Sequence, residues 1–311
     1  MTTGSPTLAA PAVIGADKFR VAIVANCHAV PIGAALRCAP AVQVKGVADI
    51  NVATSAAAVM AAITKAPEDY DAIISYRFGP NYPLFETAKL RGELGDKLHL
   101  TTNVYFGGLH PDLCYAGSFA GRMPGALGDY HSRIAMIGFT NSLPAAECVS
   151  LFNGRTYEAL GYLDAYAEAE RELRRRDEDN QIKFADRYIE LVRHRLCLLT
   201  ANHPTGVVFG EYAEAIAAYF NLRHYRLPVE MVGNPLANSA CWPIYPEIRE
   251  ALRLPYETPM VFVPPIGKGL GPMTLPEFVD RSYAIYARIG LAELEKSTHF
   301  QAARKLLAKL T

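Results

Sequence analysis

The sequence predicts an α/β protein built on a parallel sheet with helices on both faces. Short apolar segments rich in β-branched residues alternate with helical segments over the first third of the chain, which is the order of βαβ units. Each apolar segment ends in a turn that carries polar residues. The 311 residues are 50% hydrophobic and 20% charged, which is typical of an ordinary globular protein. We therefore expect a three-layer fold in which helices flank the parallel sheet.

Four strands are predicted from apolar runs that are bounded by turn residues. They are Phe19–Ala25, Val42–Val47, Ala72–Tyr76 and Leu98–Phe106. Helical segments at Ala34–Arg37 and Ala56–Lys65 separate the first three strands. Ligands of parallel sheets bind outside the carboxyl ends of the strands. The turns that follow these strands are therefore the candidate functional region.

The middle of the chain is predicted to be mainly helical. Tyr157–Arg176 is dense in Ala, Leu, Glu and Arg, and a second helix is predicted from about Ile182. Its apolar face follows helical spacing and consists of Phe184, Tyr188, Leu191, Val192 and Leu196. We interpret this part as a helical insertion at about 155–197.

The predicted organisation has three parts. Residues 1–16 form a flexible tail, residues 17–226 form the α/β domain with its insertion, and residues 227–311 form a proline-rich arm packed on that domain. A final helical stretch is predicted over Leu275–Leu310. The arm has too little strand periodicity to form a sheet of its own.

Charge and cysteine content exclude several classes of protein. Lys+Arg 31 balance Asp+Glu 31, so no overall field attracts nucleic acid or an anionic membrane. The six cysteines form no CxxC pair, which predicts reduced thiols and no metal site. No signal peptide and no apolar run of ~18 residues is present, so no transmembrane segment is expected. These features predict a cytoplasmic protein.

The turn Asn26-Cys27-His28 is the strongest candidate for chemistry. It ends the first strand and precedes a helical segment, where a helix dipole would favour the thiolate of Cys27. The alternative is that Cys27 is packed in the core, as free cysteines commonly are. His203 follows a later apolar run and precedes an amphipathic helix. A thiol and an imidazole at one sheet edge would suit nucleophilic catalysis.

Several other residues are candidates, each with a structural alternative. Arg77 follows a buried strand, so an anionic partner is expected. His110 and His131 lie in turns, where a histidine can also cap a loop. Arg122 and Arg133 flank the same turns and could instead be solvated. The run Arg171–Arg176 is interpreted as a solvated helix end, because cations are favourable at helix carboxyl termini.

The motifs VAIVANCHA, ISYRFGPNY, YFGGLHPDLCY, GDYHS and LTANHPTGVVFGEYAEAI occur in this order. This pattern resembles the WcbI family of polysaccharide-biosynthesis proteins, which are thought to be acetyltransferases that bind coenzyme A. The family motif usually reads Gly-Asn-Cys-Gln, whereas this chain has Ala25-Asn26-Cys27-His28. The extra imidazole would change activation of the thiol or replace an amide hydrogen bond. A more distant similarity to SGNH hydrolases implies a three-layer fold of the SGNH or flavodoxin-like kind. It places Thr200 where those enzymes have an aspartate three residues before a His-Pro.

The resemblance implies roles for residues of the motifs. Cys27 would be the nucleophile or the docking point of the thioester, His203 the base, and Asn81, with backbone N–H groups after Cys27, the oxyanion donor. Asp112 or another acid would orient His203, or the base would work without a charged partner. The implied catalytic set is Cys27, His203, Asn81, His110 and Asp112. The implied coenzyme-binding set is Asn26, His28, Arg77, Tyr82, His131, Ser132, Arg133 and Asn202.

The predicted function is transfer of an acyl group, in particular acetyl, from coenzyme A to a hydroxyl of a carbohydrate or nucleotide-sugar acceptor, in the biosynthesis of a capsular or other surface polysaccharide. No metal and no nucleic-acid partner is expected, and a homodimer is one option for the oligomeric state. An SGNH-like esterase or deacetylase is the alternative enzyme. The alternative outside catalysis is a protein that binds a nucleotide-sugar or glycan.

Overall fold

The computed structural model describes residues 18–118, 121–226, 228, 231, 233–267 and 269–309. Its centre is a four-stranded, all-parallel sheet in the order β2-β1-β3-β4. The strands are β1 (Phe19–Ala25), β2 (Val42–Asp49), β3 (Ala72–Ser75) and β4 (Leu98–Leu100). The predicted α/β class and its parallel sheet are confirmed. The predicted tail, residues 1–16, lies outside the described residues.

The central strands are apolar because helices cover both faces of the sheet. Five consecutive residues of β1, Val21 to Ala25, are buried, and so is all of β3. Such continuous apolar runs are typical of parallel strands in three-layer folds. Four helices follow the strands or connect them: α1 (Ala29–Ala35), α2 (Ala53–Lys65), α3 (Thr87–Leu94) and α9 (Gly206–Tyr219).

Two antiparallel strand pairs lie beyond the main sheet. The first pairs β5 (Leu113–Tyr115) with β6 (Tyr130–Ser132), and the second pairs β7 (Leu198–Thr200) with β8 (His203–Pro204). The predicted fourth strand, Leu98–Phe106, is shorter than expected, because only its first three residues pair with β3. Residues 102–106 instead run across the sheet edge, where the Phe106 N–H donates to the carbonyl of Ala201.

Two helices precede the predicted insertion, α4 (Arg133–Thr140) and α5 (Ala145–Ser150). The segment predicted as the insertion, at about 155–197, contains α6 (Gly154–Ala159), α7 (Ala165–Asp177) and α8 (Ala185–His194). The helix predicted over Tyr157–Arg176 is interrupted at Gly161, whose φ of +74° favours glycine. On α8 the predicted apolar face is buried, except that Leu196 lies beyond the helix end and is exposed.

The carboxy-terminal arm packs into the same core as the sheet. Its helices are α10 (Pro246–Leu252), α11 (Leu275–Ile289), α12 (Leu291–Leu294) and α13 (Thr298–Leu306). Trp242, Phe262 and Phe278 belong to the main hydrophobic cluster, and the Trp242 N–H donates to Leu199 O at 2.7 Å. The single helix predicted to the end of the chain is divided at Gly290, which has a φ of +85°. None of the described helices has the length and apolar character needed to cross a bilayer.

Candidate active site

The candidate site is a cleft of about 1070 Å³ at the carboxyl edge of the main sheet. Residues that follow each of the four strands line it, together with parts of β6, α7, the turn before β8 and the arm. The chain passes from β1 to β2 on one side and then to β3 on the other. Such a switch point opens a crevice in doubly wound sheets. The topology therefore explains why the cleft forms here.

Cys27 lies in the turn between β1 and α1 and lines the cleft. Asn26 shapes this turn, since its side-chain Oδ1 accepts from the His28 N–H at 3.1 Å and its carbonyl from the Ala29 N–H at 2.9 Å. Both backbone donors after Cys27 are therefore bonded within the turn. This arrangement differs from the predicted oxyanion donors, which would need those N–H groups to face a ligand.

The thiol of Cys27 is not activated as the sequence predicted. Burial, with a further contribution from the charge of Asp49, raises the pKa of Cys27 to about 12. The helix that follows, Ala29–Ala35, has seven residues, and its dipole does not outweigh the loss of hydration. Cys27 is therefore a protonated thiol at neutral pH.

His28 is fully buried and bridges two parts of the site. Its Nε2 lies 2.7 Å from the carbonyl oxygen of Asn202, and its Nδ1 lies 2.8 Å from the hydroxyl of Tyr76. A carbonyl only accepts, so Nε2 carries the proton and Nδ1 accepts from Tyr76. Burial lowers the pKa of His28 to about 4. The buried imidazole has no surface on which the predicted coenzyme contact could form.

His203 lines the cleft beside Tyr130 and Asn202. The Tyr130 hydroxyl lies 3.2 Å from Nδ1 and 3.4 Å from Nε2 of the imidazole. Burial lowers the pKa of His203 to about 4, so the ring is neutral near pH 7 and can accept a proton. No carboxylate among the described residues pairs with it. Thr200, at the position of the SGNH aspartate, instead lies 3.1 Å from the Asn202 Oδ1.

Three arginines and one aspartate provide the charges of the described lining: Arg77, Arg122, Arg176 and Asp129. Arg77 lies 3.6 Å from Asp179, and the two side chains are 47% and 80% exposed, so that pair is weak. The guanidinium of Arg122 lies 4.2 Å from the ring centre of Tyr115. Arg176 donates to the carbonyls of Asn103 and Tyr105 at 2.9 and 2.7 Å.

Arg176 corrects part of the sequence interpretation. The run Arg171–Arg176 was expected to be a solvated helix end, but its last member is largely buried and its pKa is lowered by burial. The Arg176 guanidinium therefore holds the segment after β4 and gives the cleft wall positive charge. Its neighbour Arg175 is exposed and pairs with Glu172, as the interpretation expected.

Asp112 and Ser132, which were predicted for the site, lie in the core instead. Asp112 is fully buried and accepts from the hydroxyls of Tyr245 and Tyr162 at 2.7 and 2.9 Å and from the Ile134 N–H at 2.9 Å. Ser132 caps α4, since its side chain accepts from the Ala135 N–H. Asp112 ties the arm to α4, and its bonding leaves it away from His203.

The other predicted residues outside the cleft lining are two histidines, an arginine and an asparagine. His131 is buried between the Tyr286 hydroxyl and the carbonyl of Met123, each at 3.0 Å. His110, which is also buried, and the exposed Arg133 line a neighbouring pocket of about 330 Å³. Asn81 is exposed between β3 and α3. The cleft therefore brings together Asn26, Cys27, Arg77, Tyr82, Asn202 and His203 of the predicted set.

A sequence model of a family described as "Polysaccharide biosynthesis enzyme WcbI" matches residues 20–224. The chain belongs to the WcbI family. A solved structure of WcbI, presented as a novel polysaccharide biosynthesis enzyme and as the native protein without a disulfide bond between coenzyme A and one of its cysteines, has the same fold. Its TM-score is 0.73 at 14% identity, with 94% of this chain and 98% of that chain covered. No curated protein matches the chain significantly.

The WcbI match ends before the arm, yet the arm contributes to the cleft. Asn238, Ser239, Ala240 and Pro265 line its wall and lie beyond residue 224, where the match ends. They carry no charge. The described residues contain no group of three or more His, Cys, Asp or Glu side chains placed to hold a metal ion.

Tyr130 was not predicted for the site, although it lies within the motif GDYHS. Successive residues of a strand point to opposite faces, so Tyr130 and His131 on β6 face in different directions. Tyr130 reaches the cleft, whereas His131 enters the core beside Tyr286. Strand alternation was the available signal. Asn103 and Tyr105 line the cleft but were not predicted, because no sequence pattern shows where the segment after a short strand turns. Tyr115, at the end of β5, was not predicted either.

Proposed function

We propose that this WcbI-family protein transfers an acyl group, in particular acetyl, from coenzyme A to a hydroxyl of a carbohydrate in surface-polysaccharide biosynthesis. The observation that carries the proposal is the shared cleft of Cys27, His203 and Arg176. A thiol, a neutral base and a buried cation at one sheet edge meet the needs of acyl transfer from a phosphorylated carrier.

The residues of the cleft fit coenzyme A. Arg77, Arg122 and Arg176 would hold its phosphates, since guanidinium groups bind phosphate oxygens through paired hydrogen bonds. The rings of Tyr82 and Tyr105 offer faces for its base. The buried Oδ1 of Asn103 has no hydrogen-bond partner among the described residues, and it would accept from an amide of the carrier after a small rotation. The cleft volume of about 1070 Å³ is at the upper end for cofactor sites.

Coenzyme A would supply the acyl group as a thioester, whose C–S bond breaks as the acceptor oxygen bonds to the carbonyl carbon. His203 would accept the proton of the acceptor hydroxyl and return it to the leaving sulfur. Its lowered pKa keeps it unprotonated at neutral pH, at the cost of lower basicity. The base therefore works without a charged partner, the second of the two predicted arrangements.

We propose direct transfer, with Cys27 beside the thioester, over a covalent acyl-cysteine. A thiol with a pKa of about 12 is ionised in only about one molecule in 10⁵ at pH 7. A pre-formed thiolate is therefore scarce. An acceptor hydroxyl needs no pre-formed anion, because His203 would accept its proton only as the bond to the carbonyl carbon forms.

The acceptor is proposed to bind against the arm. Asn238 and Ser239 supply uncharged hydrogen-bonding groups, and Asp129 supplies one carboxylate of the same lining. Sugar hydroxyls donate and accept at once, so neutral amides, hydroxyls and single carboxylates suit them. A nucleotide-sugar acceptor would present its phosphates to the same arginines.

Calorimetric titration of the whole protein with coenzyme A and acetyl-coenzyme A tests the proposal. We expect micromolar binding, about −8 kcal/mol, that weakens about tenfold in Arg176→Ala, the order expected for loss of one charge-assisted hydrogen bond. Arg155→Ala is the matched control, because Arg155 is exposed on α6 outside the cleft lining. Absence of binding at millimolar ligand would overturn the proposal and favour an esterase or a glycan-binding protein.

A further inference from the structure

A second pocket of about 330 Å³ lies beside the cleft, and we call it the side pocket. One face of α7, the turn before β5, the start of α4 and the turn between α6 and α7 form it. Tyr105 and Arg176 line both the side pocket and the cleft, so the two share a wall. The volume of the side pocket is at the lower end for ligand sites. It therefore suits a ligand of about the size of one sugar ring and is too small for a second coenzyme.

The wall of the side pocket contains an imidazole whose polar atoms are unused. His110 is 2% exposed and lines the pocket, and neither ring nitrogen has a hydrogen-bond partner in the described part of the chain. Burial lowers the pKa of His110 to about 4; the backbone of Trp242 opposes part of this shift but does not complete a hydrogen bond of normal geometry. The ring is therefore neutral at pH 7, with one donor and one acceptor. A ligand hydroxyl, which also donates and accepts, would satisfy it.

The side pocket also carries one cation and one carboxylate that are free to bind a ligand. Arg133, at the start of α4, and Glu168, in the first turn of α7, are exposed, and neither forms an ion pair with another described residue. The other carboxylate of the lining, Glu172, pairs with Arg175 and Arg176. A guanidinium binds a carboxylate through paired hydrogen bonds. A phosphate dianion would bring a second negative charge towards the two glutamates, which like-charge repulsion disfavours.

We propose that the side pocket is a binding site for a monosaccharide unit that carries a carboxylate, such as a hexuronate. The carboxylate of the sugar bonds to Arg133, and its hydroxyls bond to His110 and Glu168. Leu113 and Leu160 supply apolar surface for the C–H face of the ring. This site goes beyond the proposed acyl transfer, because His110, Arg133 and Glu168 lie outside the described lining of the cleft.

Saturation-transfer NMR of the whole protein with sodium glucuronate tests the site without any coenzyme. We expect a millimolar Kd, the range for a ligand of about 13 non-hydrogen atoms. Glucose lacks the carboxylate and should bind about tenfold more weakly. Glucose 6-phosphate should also bind more weakly than glucuronate, because of its second negative charge. Absence of glucuronate binding, equal binding of glucose or tighter binding of glucose 6-phosphate would overturn the proposal.

Two variants locate the bound sugar. Arg133→Gln removes the cation and should weaken glucuronate binding about tenfold with little change for glucose, a difference that a merely structural effect would not produce. Gly107→Leu should fill the side pocket and abolish binding of both sugars, because a Cβ at Gly107 meets only Tyr105, in an ordinary contact at 4.0 Å. Arg171→Gln is the matched control, because Arg171 is exposed on α7 outside the pocket lining.

His110→Phe tests the unused imidazole. Phenylalanine keeps an aromatic ring in the wall and removes both nitrogens, which have no partner in the described part of the chain. We therefore expect no fall in Tm, whereas glucuronate and glucose should both bind about fivefold more weakly. A lower Tm with unchanged sugar binding would overturn the role assigned to His110.

Calorimetry with coenzyme A separates the side pocket from the cleft. Gly107 is not part of the described cleft lining, so Gly107→Leu should bind coenzyme A as the wild type does. Glucuronate binding that persists unchanged in Gly107→Leu and in Arg133→Gln would place the sugar elsewhere and overturn the proposal. Because glucuronate is titrated without coenzyme A, absent coenzyme binding would contradict the proposed function alone.

Discussion

Replacement of His28 tests whether its buried imidazole holds the two loops of the cleft together. His28→Ala removes both hydrogen bonds and leaves the Tyr76 hydroxyl and the Asn202 carbonyl without this partner. Each buried group left unpaired costs about 1–3 kcal/mol. The imidazole also makes edge contacts with Tyr76 and Phe209 at centroid distances of 5.8 and 5.7 Å, worth about 0.5–1.5 kcal/mol each.

Taken near the lower end of these ranges, the contributions predict a loss of about 4 kcal/mol in the free energy of unfolding for His28→Ala. His28→Gln keeps one donor and one acceptor, so it should lose only about 1 kcal/mol. For chains of this size 1 kcal/mol lowers Tm by roughly 2–4 °C. We therefore expect Tm to fall by roughly 8–16 °C in the alanine variant and by roughly 2–4 °C in the glutamine variant.

Thermal unfolding followed by circular dichroism at pH 7.5 measures both effects. His194→Ala is the control, because His194 is 61% exposed and its loss should change stability by less than about 0.5 kcal/mol. Equal melting of the alanine and glutamine variants would refute the role of the two hydrogen bonds. If the free energy of unfolding of the alanine variant lies within about 1 kcal/mol of the wild-type value, His28 does not hold the two loops together.

Two further predictions follow from the buried titrating groups. Because the pKa of Cys27 is about 12, the rate of its alkylation by iodoacetamide should rise about tenfold per pH unit from pH 7 to 9. Mass spectrometry measures this rate, with Cys27→Ser as the control, and a rate that stops rising near pH 7 would contradict the prediction. Burial lowers the pKa of His28, His110, His131 and His203 to about 4, so the unfolded chain binds protons first. The free energy of unfolding should therefore have its full value above pH 6.5 and fall as the pH drops towards 4, by up to roughly 3 kcal/mol for the fully buried His28. A Tm that does not change over this pH range would contradict the burial of these rings.

The sheet could be predicted from sequence because buried parallel strands have a strong local signature. Val21 to Ala25 is apolar at every position, and Ala72–Ser75 is nearly so. Helix boundaries were harder, since residues 157–176 look helical throughout by composition. Residues 160–164, which include Gly161 with its positive φ, separate α6 from α7, and a glycine alone does not show which conformation it adopts.

The site could be predicted in part because topology brings the ends of parallel strands together. This argument finds Cys27 and Arg77, which directly follow β1 and β3. It cannot find Arg176, which lies at the end of a helix distant in sequence and reaches the cleft by bonding to the carbonyl of Tyr105. The same argument cannot show that the carboxylate of Asp112 accepts hydrogen bonds from Tyr162 and Tyr245. These two contacts and the contact of Arg176 with Tyr105 all join residues that are distant in sequence.

Burial, more than charge, determines the chemistry of this cleft. It raises the pKa of Cys27 and lowers that of His203, so both groups are neutral at pH 7, whereas a thiolate–imidazolium pair would place two charges in a poorly hydrated site. Because Thr200 replaces the expected carboxylate, nothing described at His203 would stabilise an imidazolium before substrate binds. Under the proposed acyl transfer, Arg77 and Arg176 would bind the anionic carrier, and His203 would gain its proton only as a hydroxyl attacks. The proposed transfer would therefore move no proton before both substrates are bound.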